Sequence, residues 1–181
     1  VGSEMCIRDS DKVAPADANG DRGINVTLSY NQDGGHKEVM ESIIGDLAKV
    51  GVNAVSDTPE WSALLEQYQN FNYQFGRLGW IADYPIMDNF LYPLFHSDSL
   101  GGDNRSGYNN PEFDAKVNEA RTTVDDEERI AKMQEADAIV AADCPVIPLM
   151  FYTHTLAGSD RIKHLYVDPQ KHADLGTAEL A

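Results

Sequence analysis

The chain has 181 residues, of which 42% are hydrophobic and 24% are charged, a balance typical of a globular rather than a disordered protein. Its 14 Lys and Arg residues against 30 Asp and Glu residues give a formal net charge of −16. This acidity argues against nucleic acids and anionic membranes as partners, because both are bound through basic side chains. The two cysteines, Cys6 and Cys144, are too few for a disulfide scaffold.

The beginning of the chain has an unusual sequence. Residues 1–10 (VGSEMCIRDS) do not resemble a signal peptide, because no basic segment precedes an apolar one. They resemble the translated remnant of a sequencing adapter, and we leave them out of the fold prediction. Residues 11–23 are rich in Ala, Asp and Gly and predict a loop or a truncated element. We therefore expect a protein truncated at its N-terminus, with any export signal outside this sequence.

Strands and helices are predicted to alternate through the first half of the chain. Period-two alternation indicates strands, whereas apolar side chains at i, i+3/i+4 spacing indicate helices. The predicted elements are a strand at 24–30, a helix from 36 that Gly51 ends, a strand at 52–55, a helix around 61–68 and a strand through 71–75. This order with short connections predicts an α/β layer of helices packed on a sheet.

Residues 81–109 contain prolines, glycines and many polar residues, and they predict a long irregular loop of the kind that is usually functional. Order returns where Asn110 and Pro111 supply an N-cap and a first helical residue. A second, longer helix is predicted from Asp125, because Glu128 follows three residues later as in a capping box. We expect its buried face to comprise Ile130, Met133, Ile139 and Val140.

The segment after this helix is apolar. Pro145 ends the helix, and the β-branched and aromatic residues from Val146 to Thr153 predict a strand, placed at an edge or an entry point by Pro148. Cys144 precedes this strand and is interpreted as a buried, inert thiol. The polar residues after Leu156 are left without a prediction.

Motifs for metals, nucleotides and hydrolysis are missing from the sequence, which contains no HExxH, GxSxG, Walker or strand-associated GxGxxG pattern. The five scattered histidines are therefore expected to lie on the surface or in loops. Asp17, Asn19 and Asp21 match the first positions of a calcium loop, but the glycine and the glutamate that such loops need are absent. We interpret these three residues as part of a turn.

Trp80, Asp83 and Tyr84 cluster where the third strand is predicted to end and the long loop begins. Ligands of α/β sheets bind outside the carboxyl ends of strands. There a carboxylate in a partly closed cleft suits an ammonium group, while an aromatic wall excludes water. Composition alone favours a structural interpretation, in which Trp80 lies in the core and Asp83 caps a turn before Pro85.

Three longer segments favour a binding role for these residues over a structural one. GWIADYPIMDNFLYPLF, GYNNPEFDAKVNEA and CPVIPLMFY follow one another in the chain and resemble the C-terminal part of the oligopeptide/dipeptide-binding (family 5) extracytoplasmic solute-binding proteins, the capture subunits of ABC importers. The resemblance extends from Gly23 to the late 160s. It implies an α/β fold that is part of a two-lobed clamshell of the class II periplasmic-binding-protein type. Residues 24–143 would be the remainder of the second lobe, residues 81–109 its ligand-cleft loop, and residues 144–181 an incomplete return toward the first lobe.

The resemblance also implies solute capture rather than catalysis. In peptide-binding members the motif aspartate holds the α-ammonium group of the ligand, and its position here is Asp83. The residues just before it pair with the ligand backbone, which adds Trp80 and Ile81, and Tyr84 completes the expected binding set. No catalytic residue, metal or cofactor is expected. The implied partners are a peptide or other small solute and the permease subunits of an ABC importer, at a periplasmic or other extracytoplasmic location.

Three alternatives remain open at this stage. Another member of the same family could bind a sugar oligomer or chelated nickel and keep Asp83 for structural reasons. A hydrolase could use Asp83 and Asp88 as a carboxylate pair. The chain could also be an interaction domain that binds no solute. The role of Asp88 in a solute-binding protein is likewise left open.

Overall fold

The computed structural model of the chain describes residues 23–153, 159–168, 170, 172–174 and 176–180. The adapter-like segment and the residues that resemble a calcium loop lie outside this part. The chain divides into two compact units, Val1–Gly79 and Trp80–Ala181, which are described separately. The assignment of residues 24–143 and 144–181 to two lobes stays a prediction. No helix in the described part is long and apolar enough to cross a membrane.

The first unit is built on a parallel three-stranded sheet in the order β2-β1-β3. Its elements in chain order are β1 (Ile24–Ser29), α1 (His36–Lys49), β2 (Val52–Asp57), α2 (Trp61–Gln69) and β3 (Phe75–Gly76). Leu28, Tyr30 and Met40 form its core, against which Ile43 and Leu47 of α1 pack. The predicted alternation of strands and helices is confirmed, and so is the left-handed Gly51 that follows α1.

The third strand is shorter than the alternation of residues 71–75 predicts. Phe71 has a left-handed backbone with φ 53°, and the turn it forms after α2 prevents an extended run. Only Phe75 and Gly76 pair with β1, opposite Leu28 and Ser29. The aromatic alternation therefore reflected side chains placed around a turn rather than one face of a strand.

Gly76 lies where the sheet meets the ring of Tyr68. The Tyr68 hydroxyl donates to the carbonyl oxygens of Ser29 at 2.6 Å and Arg77 at 3.0 Å, and burial raises the pKa of this phenol well above its usual value. A Cβ at Gly76 would lie 2.6 Å from Tyr68 Cε1 and 3.0 Å from Tyr73 Cε2. The ring cannot retreat without losing its hydrogen bonds, so only glycine fits.

We therefore expect Gly76→Ala to lower the free energy of unfolding of the first unit by about 1–3 kcal/mol, the usual cost of overpacking. Chemical denaturation followed by Trp61 fluorescence measures the loss. Gly45→Ala is the matched control, because no atom lies within 4 Å of a Cβ there. Equal stability of the two variants would contradict the close approach at Gly76.

The second unit is a helical cluster followed by short β-pairs. Its helices are α3 (Asp88–Phe95), a 3-10 turn (Ser97–Ser99), α4 (Pro111–Thr122) and α5 (Asp126–Asp143). One apolar core joins α3, α4 and α5, made of Leu91, Phe95, Phe113, Val117, Ala120, Met133, Ala136 and Val140. This core supplies the scaffold on which the loop before α3 rests.

The prediction of an irregular loop throughout residues 81–109 is wrong in its middle part, where α3 forms. The helix contains Pro93, which has no N–H and normally disfavours a helix interior. Leu91 and Phe95 are buried against the other helices, and this burial outweighs the cost of the proline. Tertiary packing therefore overrides the local signal on which the prediction rested.

The predicted N-caps of the two longer helices, α4 and α5, are confirmed. Asn110 Oδ1 accepts from the backbone N–H groups of Glu112 and Phe113, and Asp125 Oδ1 accepts from that of Glu128. The predicted buried face of α5 needs one correction. Ile130 is 49% exposed, and Ala136 is buried instead, because the face that meets α3 and α4 is displaced around the helix from Ile130.

The segment after α5 departs from the prediction. Cys144 is exposed rather than buried and has a left-handed backbone with φ 51°. Val146–Thr153 is not paired as a strand, and its large apolar side chains are exposed. No neighbouring strand within the described residues offers the hydrogen bonds that its backbone would need to form a sheet. Short antiparallel pairs follow, β4 (Ile162–Lys163) with β7 (Glu179–Leu180) and β5 (Tyr166–Val167) with β6 (Ala173–Asp174).

His96 lies between α3 and the 3-10 turn, in keeping with the expected loop position, and it is buried there. Its ring stacks on Tyr92 with centroids 4.3 Å apart, and its Nδ1 accepts from the backbone N–H of Asp98 at 3.1 Å. Its contacts are those of a structural residue at the end of α3.

Candidate ligand-binding site

The four predicted binding residues lie in a tight turn of the second unit that leads into α3, and we call residues 80–87 the binding turn. Its backbone folds back on itself, since Ile86 N–H donates to Tyr84 O at 3.0 Å and Asn89 N–H donates to Ile86 O at 3.2 Å. Pro85 lies between Tyr84 and Ile86 and restricts the backbone further. The turn is therefore an ordered loop rather than an extension of a strand.

Asn89, in the first turn of α3, joins Trp80 to Asp83. Its Oδ1 accepts from Trp80 Nε1 at 3.0 Å and from the backbone N–H of Asp83 at 2.9 Å. Its Nδ2 lies 3.4 Å from Asp83 Oδ2, to which it donates. The Asn89 residue is only 2% exposed, so water does not compete for these hydrogen bonds.

Asp83 itself is exposed. Within the part of the chain that the structure describes, no Lys or Arg forms an ion pair with its carboxylate. The side chain is oriented by Asn89 through one oxygen and keeps further acceptor capacity, since an ionised carboxylate has about four lone-pair sites. An exposed carboxylate with no cationic neighbour is suited to accept hydrogen bonds from an ammonium group.

Asp88 has a different environment from Asp83. It is 9% exposed, and its Oδ1 lies 3.2 Å from Arg121 Nε of α4. Its Oδ2 accepts from the Tyr84 hydroxyl at 2.8 Å. Arg121 is also held over the ring of Tyr92, 3.8 Å from its centroid. Asp88 thus fastens the binding turn to α4 and neutralises Arg121.

This contact network also affects Tyr84. A hydrogen bond with Asn89 lowers the pKa of the Tyr84 phenol, but desolvation and the neighbouring Asp88 carboxylate outweigh it and raise the pKa above its usual value. Tyr84 therefore stays protonated at neutral pH and acts as a hydrogen-bond donor to Asp88.

Apolar side chains are exposed around the carboxylate. Ile81 and Ile86 are each 50% exposed, and Tyr84 is 41% exposed. The Trp80 ring is half-buried, with its indole nitrogen occupied by Asn89. The turn therefore offers apolar surface beside one carboxylate, which is a polarity suited to an organic cation rather than to a bare metal ion.

The sequence interpretation brought together Trp80, Asp83 and Tyr84 correctly as neighbours but missed Asn89. The only local signal was its position directly after Asp88, in a segment predicted to be irregular. A buried amide that satisfies a turn leaves no periodic pattern. No group of His, Cys, Asp and Glu residues in the described ranges is arranged to hold a metal ion.

Half of the chain matches a known family of solute-binding proteins. Residues 12–102 match the model of a family described as bacterial extracellular solute-binding proteins, family 5, middle part. The match includes the whole binding turn and α3.

Two curated relatives and one solved structure illustrate the similarity. The chain is 34% identical over 139 residues to the oligopeptide-binding protein OppA of Bacillus subtilis, covering 76% of this chain and 25% of that protein. It is 35% identical over 133 residues to heme-binding protein A of Haemophilus influenzae, covering 74% and 24%. The chain thus spans about a quarter of the length of these relatives.

The solved structure of Haemophilus influenzae OppA in complex with the peptide RPPGFSPFR superimposes with a TM-score of 0.81 at 22% identity, covering 98% of this chain and 34% of that one. This likeness concerns the fold, and it confirms the expected α/β class and the correspondence to part of a two-lobed solute-binding protein.

Proposed function

Since the chain belongs to the bacterial extracellular solute-binding proteins of family 5, we propose that it is part of a receptor that captures peptides with a free amino terminus. The observation that carries this proposal is the Asp83 carboxylate, which is exposed and without a cationic partner among the described residues. It is the group that the α-ammonium of a peptide would meet.

The chemistry of the turn fits this ligand. A hydrogen bond between an ammonium and a carboxylate contributes about 1.5–3 kcal/mol. The main chain of Trp80 and Ile81 would pair with the peptide backbone, a mode of recognition that does not depend on the peptide sequence. Ile81 and Ile86, each 50% exposed, would cover the apolar part of the first ligand residues.

Binding without catalysis is the corresponding proposal for the chemistry. A hydrolase that used Asp83 and Asp88 would need both carboxylates to reach the substrate. Asp88 is buried and held by Arg121 and Tyr84, so it is not free to act as the second carboxylate. The sequenced relatives above are named as binding proteins, which supports the same reading.

The location and the partners follow from the family. We propose an extracytoplasmic receptor that delivers its solute to the permease subunits of an ABC importer. The curated relatives include proteins named as periplasmic oligopeptide-binding, which supports the location. The acidic charge of −16 argues against a nucleic-acid partner.

Calorimetry on a polypeptide of full family length that contains this segment, referred to below as the full-length protein, tests the proposal. We expect trialanine to bind at least about tenfold more tightly than N-acetyl-trialanine, because acetylation removes the charge that Asp83 would hold. Mass spectrometry should recover the peptide intact after incubation. Equal affinity for the two peptides, or cleavage of either, would overturn the proposal.

The relation to heme-binding protein A supplies the competing ligand for the same experiment. Hemin has no α-ammonium group, so its binding would not use the Asp83 charge. Tight hemin binding together with the absence of trialanine binding would replace the peptide proposal with haem capture.

A further inference from the structure

We propose that Asn89 is the positioning residue of the binding turn, whose side-chain amide sets the direction of the Asp83 carboxylate and of the Trp80 indole. This inference rests on the proposed capture of free-amine peptides and adds to it the residue on which amine recognition depends. Asn89 itself is 2% exposed and does not meet the ligand.

The Asn89 side chain forms three hydrogen bonds with the binding turn. Asn89 Oδ1 accepts from both Trp80 Nε1 and Asp83 N–H, at 3.0 and 2.9 Å, which uses both lone pairs of an amide oxygen. Its Nδ2 donates to Asp83 Oδ2. Asp83 is thus held at its main chain and at its side chain by one amide group.

The Asn89 amide is carried by a helix that is packed into the core of the second unit. Asn89 belongs to α3, whose residues Leu91 and Phe95 are buried in the core of the second unit. The position of the amide is therefore set by a packed helix, whereas the binding turn has no regular structure of its own. A carboxylate on a loop is positioned precisely only when a rigid element supports it.

The neighbouring residue, Asp88, has different partners. Asp88 binds Tyr84 and Arg121 and so fixes the far end of the turn, but it forms no hydrogen bond with Asp83 in the described structure. The two adjacent residues have separate tasks. Asn89 controls the direction of the ligand-facing group, and Asp88 ties the turn to α4.

The test compares variants of the full-length protein by the ratio of their dissociation constants for N-acetyl-trialanine and trialanine. Asn89→Leu removes the acceptor and should reduce this ratio about tenfold or more, because Asp83 then loses its fixed direction. Asn89→Gln keeps an amide that can both accept and donate and should retain the wild-type ratio within about threefold. A residue that only fills space would tolerate Leu at least as well as Gln.

Asn104→Leu is the matched control. Asn104 is also fully buried in the second unit and donates to the carbonyl oxygens of His96 and Tyr108, but it forms no hydrogen bond with the described residues of the binding turn. We expect its replacement to lower stability and leave the ratio unchanged. This control separates a loss of stability from a loss of amine recognition.

A second readout uses the present chain and no ligand. The Trp80 indole N–H resonance should shift toward its solvent-exposed position in Asn89→Leu and stay near its wild-type position in Asn89→Gln and Asn104→Leu. A wild-type protein that binds neither peptide would overturn both proposals. A wild-type ratio that persists in Asn89→Leu would overturn only the role of Asn89.

Discussion

Replacing Asp83 by Asn in the full-length protein is expected to weaken the binding of trialanine by about 2–5 kcal/mol, the range found when one partner of a buried charge pair is removed. The amide keeps the shape of the carboxylate and its hydrogen bond with Asn89, but it cannot balance an ammonium group that binding would remove from water. Isothermal titration calorimetry measures the loss. N-acetyl-trialanine should lose little affinity in the same variant, because it has no charge to balance.

Asp103→Asn is the control for the charge change. Asp103 lies in the same unit and is exposed, so its replacement alters the net charge equally without touching the binding turn. Weakening of trialanine binding by the same amount in both variants would indicate long-range electrostatics rather than direct contact. Unchanged affinity in Asp83→Asn would remove the chemical basis of the peptide proposal.

Replacing Phe113 by Ala is expected to destabilise the second unit by about 3–5 kcal/mol, as for other buried aromatic residues cut back to alanine. Phe113 is 0% exposed and packs edge-to-face against Phe95 and Tyr108, with centroids 6.3 and 5.5 Å away. The cavity would lie where α3 meets α4, and α3 carries Asn89. Hydrogen exchange of the slowest amides in α4 and α5 measures the change.

Phe151→Ala makes the same chemical change at a position that is 100% exposed, and it should alter stability by less than about 0.5 kcal/mol. The comparison separates the loss of a core contact from the loss of an aromatic ring as such. A cost below about 1 kcal/mol for Phe113→Ala would mean that the helical core is not packed as described.

Local chemistry explains which parts of the fold the sequence predicts well. The strand β1, the helix α1 and its left-handed Gly51 depend on periodicity and on backbone preferences within a few residues. The N-caps at Asn110 and Asp125 are likewise contacts with residues two or three positions away. Such signals are fully contained in a short stretch of sequence, so they survive without knowledge of the rest of the chain.

The errors occur where a distant partner decides the outcome. Helix α3 forms despite Pro93 because Leu91 and Phe95 are buried by residues of α4 and α5. Val146–Thr153 has the composition of a strand but is not paired as one in the described part of the chain, and its large apolar side chains are exposed. Composition indicates that a segment can be buried or paired, but the neighbours determine whether it is.

The candidate site shows the same division. The sequence by itself determined that Trp80, Asp83 and Tyr84 lie in one short segment, because they are neighbours in the chain. Only the tertiary structure decided which partners Asp88 and Asn89, in the first turn of α3, would have. It buried Asn89 beneath Asp83 and paired Asp88 with Arg121 of α4. Hydrogen-bond partners between elements depend on the packing of those elements, and that packing leaves no periodic signal in the residues themselves.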